Sequence, residues 1–351
     1  MSTTAEDTEG TEDTGFQLDV DGFDDRVVAD PSTHPGGQGQ PRFRPVASDT
    51  YRLVGARACP FAHRAIIVRR LLGLEDAVSL GMCGPTHDWK SWTFDLYDDS
   101  VDPVLGVGRL RDCYLHRHPG YTGGVTVPAL VDIDSAAVIT NDFPTLVADF
   151  ATEWTKFHRP GAPDLYPEHL RVEIDELSER MFSSVNVGVY RCGLADSQET
   201  YDRAVDELFT MLDELEERLG RQRYLVGDQI TLADVNLFAT LIRFDMVYHG
   251  LFKCNRYTIA QKPNLWGYLR DLFQTPGFGD TVNFPQIKEH YYTVITQVNP
   301  SGIIACGPDP ANFYTPHGRE SLGGSPFGAG TAPEPPRSED VLDGDERGAF
   351  V

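Results

Sequence analysis

Apolar and polar positions alternate in "YRLVG" (51–55), the signature of a half-buried strand. The pattern changes abruptly in "ARACPFAHRAIIVRRLL" (56–72), where from Pro60 onward the apolar residues fall at helical spacing. "DAVSLGM" (76–82) predicts a second strand, and "VTVPALVDI" (125–133) followed by "AAVITND" (136–142) predicts a hairpin. Pro144 then opens a helix with Leu146, Val147, Phe150, Trp154 and Phe157 on one side. The order β-α-β, long insertion, β-β-α describes a small sheet domain with helices packed on it, over residues 46–160. From about 165 to 280 the pattern is helical throughout, within an all-α unit expected at 161–315. Tyr201, Val205, Leu208, Phe209, Leu212, Leu215 and Leu219 form a stripe at three- and four-residue steps that stops before Gly220. The acidic "DELEER" on the same helix is its solvated face. Residues 1–45 are acidic and largely irregular, although Phe16, Leu18, Phe23 and Val27 offer anchoring points. Residues 316–351 are Gly/Pro-rich and then acidic, and read as a tail.

Charge narrows the partners. The 351 residues carry a formal net charge of −23, and only five of the thirty basic residues are lysine (Lys90, Lys156, Lys253, Lys262 and Lys288). No basic stripe is present to displace phosphate counterions, which argues against nucleic acid as a partner. The same charge argues against anionic membrane surfaces, and no apolar run approaches the roughly 18 residues of a span. An acidic, polar N-terminus is unlike a secretory signal, so a cytoplasmic location is expected. A carboxylate-rich, lysine-poor chain further suggests adaptation to high salt, where screening removes self-repulsion.

The six cysteines, at 59, 83, 113, 192, 254 and 306, are scattered without a C-x-x-C pair, and "HRH" (116–118) lacks partner ligands; no metal is expected. Cys59 stands apart. It follows a strand and precedes a helix that starts near Pro60, so its sulfur faces unpaired N–H groups and the positive end of the helix dipole. Arg57 and Arg64 add positive potential, and a thiol in such a place is expected to ionise more readily than usual. Three residues on stands Ala62 rather than a second cysteine. A mixed disulfide at Cys59 must therefore be released by an outside thiol. Thr126-Val127-Pro128, just before the hairpin, supplies the partner element of a thioredoxin-like site: a cis proline preceded by a backbone that pairs with a peptide-like thiol. Cys83 and Cys254 are the nearest candidates for an accidental resolving thiol.

Taken together, "ACPFAHR", "SWTFD", "VTVP", "NVGVYRCG", "RFDMVYHGLFKCN", "RDLFQTPGFGDTVNF" and "NPSGIIACGP" closely resemble the glutathionyl-hydroquinone reductases, the xi class of the glutathione transferase superfamily, from about Ser48 to Glu320. "GDQITLADVNLF" fits too. Thr231 and Asp234 occupy capping-box positions, and Ile230 and Val235 the flanking hydrophobic staple, a stability device recurrent in such proteins. The resemblance implies an α/β thioredoxin-like N-terminal domain, an all-α C-terminal domain and a homodimer. It also implies reduction of S-thiol conjugates of hydroquinones with no tightly bound cofactor. Carried over by motif, Cys59 is the nucleophile and Tyr190 the proton donor, while Tyr248 and Tyr291 bias the cysteine toward thiolate. Trp92 packs on the bound thiol, Val127 clamps it through its backbone, and Gly124, Val125 and Thr126 line its path ahead of the structural Pro128.

Two positions depart from the family pattern. Gly124 stands where an arginine is usual, and Asp142-Phe143 replaces a Glu-Ser pair that holds the γ-glutamyl end of glutathione. Asp142 still accepts from an ammonium, whereas Phe143 has no hydroxyl. If the arginine pairs with a carboxylate, its loss weakens binding of that charge. The expected cosubstrate is glutathione or the smaller γ-glutamylcysteine, which lacks the glycine carboxylate and suits a salt-adapted composition. Competing readings are a general monothiol thioltransferase or dehydroascorbate reductase, a conjugating glutathione transferase, and a non-enzymatic scaffold of the same fold.

Overall fold

The alternation in "YRLVG" becomes the central strand of a four-stranded sheet in the computed structural model, which describes residues 22–34, 42–88 and 91–337. Two short outer strands come first, β1 (Arg26–Val28) and β2 (Phe43–Pro45), paired in parallel beside the main sheet. The sheet itself holds β3 (Tyr51–Ala56), β4 (Val78–Cys83), β5 (Ala129–Asp132) and β6 (Ala137–Thr140) in the order β4-β3-β5-β6. β4 runs parallel to β3 and β5 antiparallel, with Leu53 opposite Leu80 on one side and Leu130 on the other. β5 begins only at Ala129, because Pro128 lacks an N–H and residues 124–128 are loop rather than strand.

Helix α1 (Pro60–Leu72) is buried at every position. It lies between the sheet, α3 (Phe143–Thr152) and α7 (Leu232–Arg243), which follow α2 (Leu110–Arg117) and the helices α4 (Arg171–Met181), α5 (Gly188–Gly193) and α6 (Gln198–Leu219). A helix covered on all sides must place its charged residues inside as well. Arg69 accordingly donates to the Val78 carbonyl at 2.6 Å, and Arg70 pairs with Glu75 and Asp280. The insertion between β4 and α2 is tied to the sheet by a buried ion pair, Arg52–Asp102 at 2.9 Å; the other Asp102 oxygen accepts from the Val104 and Leu105 amides.

The second unit is all-helical, completed by the single turn α8 (His249–Leu251), α9 (Pro263–Gln274) and α10 (Phe284–Val294). The architecture is a thioredoxin-like domain followed by an all-α domain, as in glutathione transferases. Every apolar residue of the α6 stripe from Val205 to Leu219 is buried. Two π-helical turns, Phe182–Asn186 before α5 and Phe244–Tyr248 after α7, interrupt the regular helices. The extra residue in each rotates the next stretch of helix, and such turns concentrate at functional sites.

The termini are more engaged than their composition suggests. Val27 is buried, and Phe23 packs against Tyr114 and Tyr121, while Phe16 and Leu18 lie outside the described residues. Residues 316–337 return across both domains. Arg319 is buried and donates to the carbonyls of Leu219, Gln222 and Arg223; the Thr331 amide bonds Gly161, Arg70 bonds the Glu334 carbonyl, and Arg337 pairs with Asp76.

The capping box is present at the start of α7. One Asp234 oxygen accepts from the Thr231 amide at 2.9 Å. The other accepts from the Leu225 amide at 2.9 Å and from the Tyr268 hydroxyl at 2.8 Å. Asp234 is fully buried, which pushes its carboxyl up to about 6 despite these donations. Replacing Asp234 by alanine leaves buried donors without an acceptor and should cost about 2–4 kcal/mol of stability. Urea unfolding of D234A measures this, and an unchanged midpoint would show the box to be dispensable.

Candidate active site

Cys59 is the N-cap of α1, with an extended backbone and Pro60 in the first helical turn. Cys59 is half-buried and, like Val125, packs against an apolar cluster that includes Val54, Ala62, Trp92 and Val127. The thiol donates to the Val127 carbonyl at 3.4 Å across the cis Val127–Pro128 peptide. Burial pushes the Cys59 thiol up, while the Ala62 and Phe61 amides and the charges of Arg243 and Arg64 pull it down. The net direction is upward. The expectation of an easily ionised thiol is therefore corrected in the uncomplexed protein: the helix terminus and Arg64 act as foreseen, Arg243 acts where Arg57 was expected to, and desolvation outweighs them all.

Opposite the thiol, three phenols form a chain. The Tyr190 hydroxyl bonds that of Tyr291, which bonds Tyr248 at 2.8 Å. Tyr248 and Tyr291 are buried and Tyr190 is half-buried. The Phe252 ring touches all three, with centroids 5.5, 5.5 and 5.8 Å away. Burial first, then the neighbouring phenols, push Tyr190 and Tyr291 well above the ordinary phenol value; burial also raises Tyr248. All three are thus held as O–H donors, and Tyr190 is close enough to Cys59 for their charges to interact.

The positions expected to receive the thiol are each held by neighbours. Trp92 stacks on His290 of α10, with centroids 5.0 Å apart and rings 12° from parallel, so an α-domain residue backs it. The loop before Pro128 is pinned by two tyrosines: Tyr121 donates to the Gly124 carbonyl at 2.6 Å and Tyr114 to the Thr126 carbonyl at 2.9 Å. Asn141 holds the Thr126 hydroxyl at 2.8 Å. Asp142 is the N-cap of α3, yet its side chain makes no capping bond. Phe143 instead turns its ring onto Phe61, at 4.7 Å, and beneath Arg64.

Comparison with known proteins fits this geometry. Residues 198–271 match the model of the glutathione S-transferase C-terminal domain. The chain is 40% identical over 317 residues to glutathionyl-hydroquinone reductase YqjG of Escherichia coli, covering 88% of this chain and 94% of that protein. It is also 40% identical over 260 residues to glutathionyl-hydroquinone reductase PcpF of Sphingobium chlorophenolicum, covering 74% and 82%. A glutathione transferase from Gordonia bronchialis superposes with a TM-score of 0.88 at 59% identity, over 92% of this chain and 97% of the other. The chain belongs to the glutathionyl-hydroquinone reductases, the xi class of the glutathione transferases. It is an enzyme of that family.

Among the reductase motifs, Arg243 is the residue that motif reading passed over. It ends α7 inside "RFDMVY" and is completely buried. Its Nε donates to the Ala58 carbonyl at 3.0 Å and Nη2 to the Arg57 carbonyl at 2.7 Å, while Nη1 contacts His63 Nδ1 at 3.2 Å and the Ala239 carbonyl. The clamp grips the backbone immediately before Cys59. His63 is tied to Thr281 at 2.7 Å, and burial holds its ring well below the ordinary histidine value, so it is neutral. Only the arginine in a family motif hinted at this, without indicating its partners. Among the described residues no group of three or more His, Cys, Asp or Glu is arranged to hold a metal, and His116 is bonded to the Ala136 carbonyl. Cys83, Cys113, Cys192 and Cys254 are buried and Cys306 is exposed. No described helix is long and apolar enough to cross a membrane.

Because burial raises the Cys59 thiol, its alkylation by iodoacetamide should climb by about tenfold per pH unit, continuing past pH ~9. Arg243→Met removes a nearby positive charge and should slow alkylation at pH 8 by about three- to tenfold. Peptide mass spectrometry of Cys59 monitors both; a plateau below pH 8 in the parent protein contradicts the assignment.

Proposed function

We propose that this enzyme reduces S-thiol conjugates of hydroquinones through Cys59. The observation that supports this is a cysteine at a helix N-terminus close enough to interact electrostatically with Tyr190 and Tyr248, two members of a hydrogen-bonded chain of three phenols. The Cys59 thiolate attacks the sulfur of the thioether, forming an S–S bond as the aryl carbon–sulfur bond breaks. The electron pair leaves with the ring as a carbanion or enolate and takes a proton from Tyr190, releasing free hydroquinone. Tyr291 and Tyr248 share the resulting phenolate charge through their hydrogen bonds. A second thiol then attacks the mixed disulfide, giving a soluble disulfide and returning Cys59 to the thiol. Ala62 leaves the enzyme without an internal resolving group at that position, which supports the external thiol.

The cosubstrate is argued from the position of Gly124. Gly124 offers no side chain to a glycine carboxylate, and the nearby Tyr121 hydroxyl is committed to the Gly124 carbonyl. Phe143 fills with an aromatic ring the place where the family pattern has a hydroxyl. The missing side chain at Gly124 favours γ-glutamylcysteine over glutathione, whereas Phe143 bears on the γ-glutamyl end that the two thiols share.

Cys59→Ser should abolish turnover of a glutathionyl hydroquinone. Tyr190→Phe should lower it about 100-fold while changing reduction of a simple mixed disulfide by no more than about twofold. Equal losses on both substrates would favour a general thioltransferase instead. Comparison of kcat/KM for the two thiols at molar salt tests the second assignment; a clear preference for glutathione overturns it and leaves the Cys59 chemistry standing.

A further inference from the structure

Two thiols outside the Cys59 site meet behind the phenols. Cys192 stands on α5 two residues after Tyr190, and Cys254 two residues after Phe252, the ring that touches all three tyrosines. The two sulfhydryls share a hydrogen bond. The Cys254 sulfur also lies 3.9 Å from the carbonyl of Val189, three residues before Cys192 on the same helix. Gly193 permits this approach, since a Cβ there would come within 2.2 Å of Phe252 Cγ. Lys253 then turns the chain back through a left-handed conformation, with φ of 59°. Its carbonyl accepts from the Tyr201 hydroxyl at 2.7 Å, and the next amide, that of Cys254, donates to the Tyr248 carbonyl at 3.0 Å. A lysine holds such a conformation only where its surroundings enforce it. Cys254, expected as a possible resolving thiol for Cys59, is thereby directed to Cys192 instead.

The pair has its own access. Cys192 lines a cavity of about 350 Å³ between the end of α5, the start of α6 and the 253–255 turn. Asp196, Gln198, Lys253 and Asn255 are exposed at its mouth, and Tyr201 lines it within reach of the charge of both sulfurs. Neither Cys59 nor any of the three phenols belongs to its lining. Cys254 does not line it either, so an incoming reagent meets Cys192 first. Cys192 is only 2% exposed, which excludes a bulky or charged oxidant such as a peptide-like disulfide. A small uncharged hydroperoxide passes that restriction and needs only the sulfur as its acceptor. Two thiols already in hydrogen-bond contact have only the remaining gap to the S–S length of about 2 Å to close.

We propose that Cys192 and Cys254 are a second reactive thiol pair, which a small hydroperoxide oxidises to a disulfide linking the helix of Tyr190 to the turn after Phe252. The Cys192 thiolate takes one oxygen from the hydroperoxide and becomes a sulfenic acid. The O–O bond breaks, and the other oxygen leaves as water or an alcohol after taking up the thiol proton. The Cys254 sulfur then attacks that of Cys192, and its proton departs with the displaced hydroxide as water. Two thiols lose two electrons in total, and the hydroperoxide gains them.

Hydrogen peroxide treatment of full-length Cys59→Ser, followed by alkylation under denaturing conditions and peptide mass spectrometry, tests this. A peptide pair joined through Cys192 and Cys254 is expected. It should form at least about tenfold faster than any link through the buried Cys83 or Cys113, and dithiothreitol should reverse it. Cys254→Ala in the same background should leave an oxygen on Cys192, whereas Cys192→Ala should leave Cys254 reduced. Absence of the 192–254 link, oxidation of Cys254 at an unchanged rate in Cys192→Ala, or a link between Cys59 and Cys254 in the parent chain would each overturn the proposal. Because Cys59→Ser lacks the nucleophile of the proposed reductase, the outcome is independent of that reading.

Discussion

A buried guanidinium ties the helical half of this molecule to the backbone just before Cys59. Arg243 belongs to the helical domain, but two of its nitrogens are spent on the carbonyls of Arg57 and Ala58 in the sheet domain. A carboxylate would neutralise it; carbonyls orient it and leave its charge intact. The loop that delivers Cys59 to the start of α1 is thereby fixed by a residue more than 180 positions away, and the same charge lies near the sulfur. One side chain thus acts both on the position of the loop and on the charge around the sulfur. The neutral His63, touched by Arg243 on one ring nitrogen and bonded to Thr281 on the other, completes the grip.

The surroundings that suit the phenols work against the thiol. Exclusion of water raises Tyr190, Tyr248, Tyr291 and Cys59 together. For a proton donor this is favourable, since a phenol that holds its proton delivers it only to a strong base. For a nucleophile it is a handicap that the Phe61 and Ala62 amides and two arginines only partly offset. The thiol accordingly donates to Val127, a carbonyl that belongs to the loop expected to receive the incoming thiol.

Much of this was legible in the sequence because it rests on local rules. The strand–Cys–Pro–helix junction, the α6 stripe and the Thr231–Asp234 box depend on neighbours within a few residues, and all three are present. Three features were not legible, for a common reason: they depend on where distant segments meet. The π-helical turns, one shortly before Tyr190 and one ending at Tyr248, leave no distinct spacing in the sequence. The carbonyl partners of Arg243 are invisible without the fold. The net direction at Cys59 required knowing how completely water is excluded, a quantity that motif and charge do not carry. Composition misled at the C-terminus, where Gly and Pro at 316–337 describe an extended path over a surface as well as they describe a loose end.

That path has its own consequence. Residues 319–337 touch the helical domain at Leu219, Gln222 and Arg223 and the sheet domain at Arg70 and Asp76, closing an outer loop around a molecule already joined at Arg243. The relative tilt of the two domains is therefore braced from outside as well as pinned from within. A nick near Thr331 would spare every residue of the reactive centre and yet remove one of the two braces, so the integrity of the chain end is itself a condition for a well-shaped cleft.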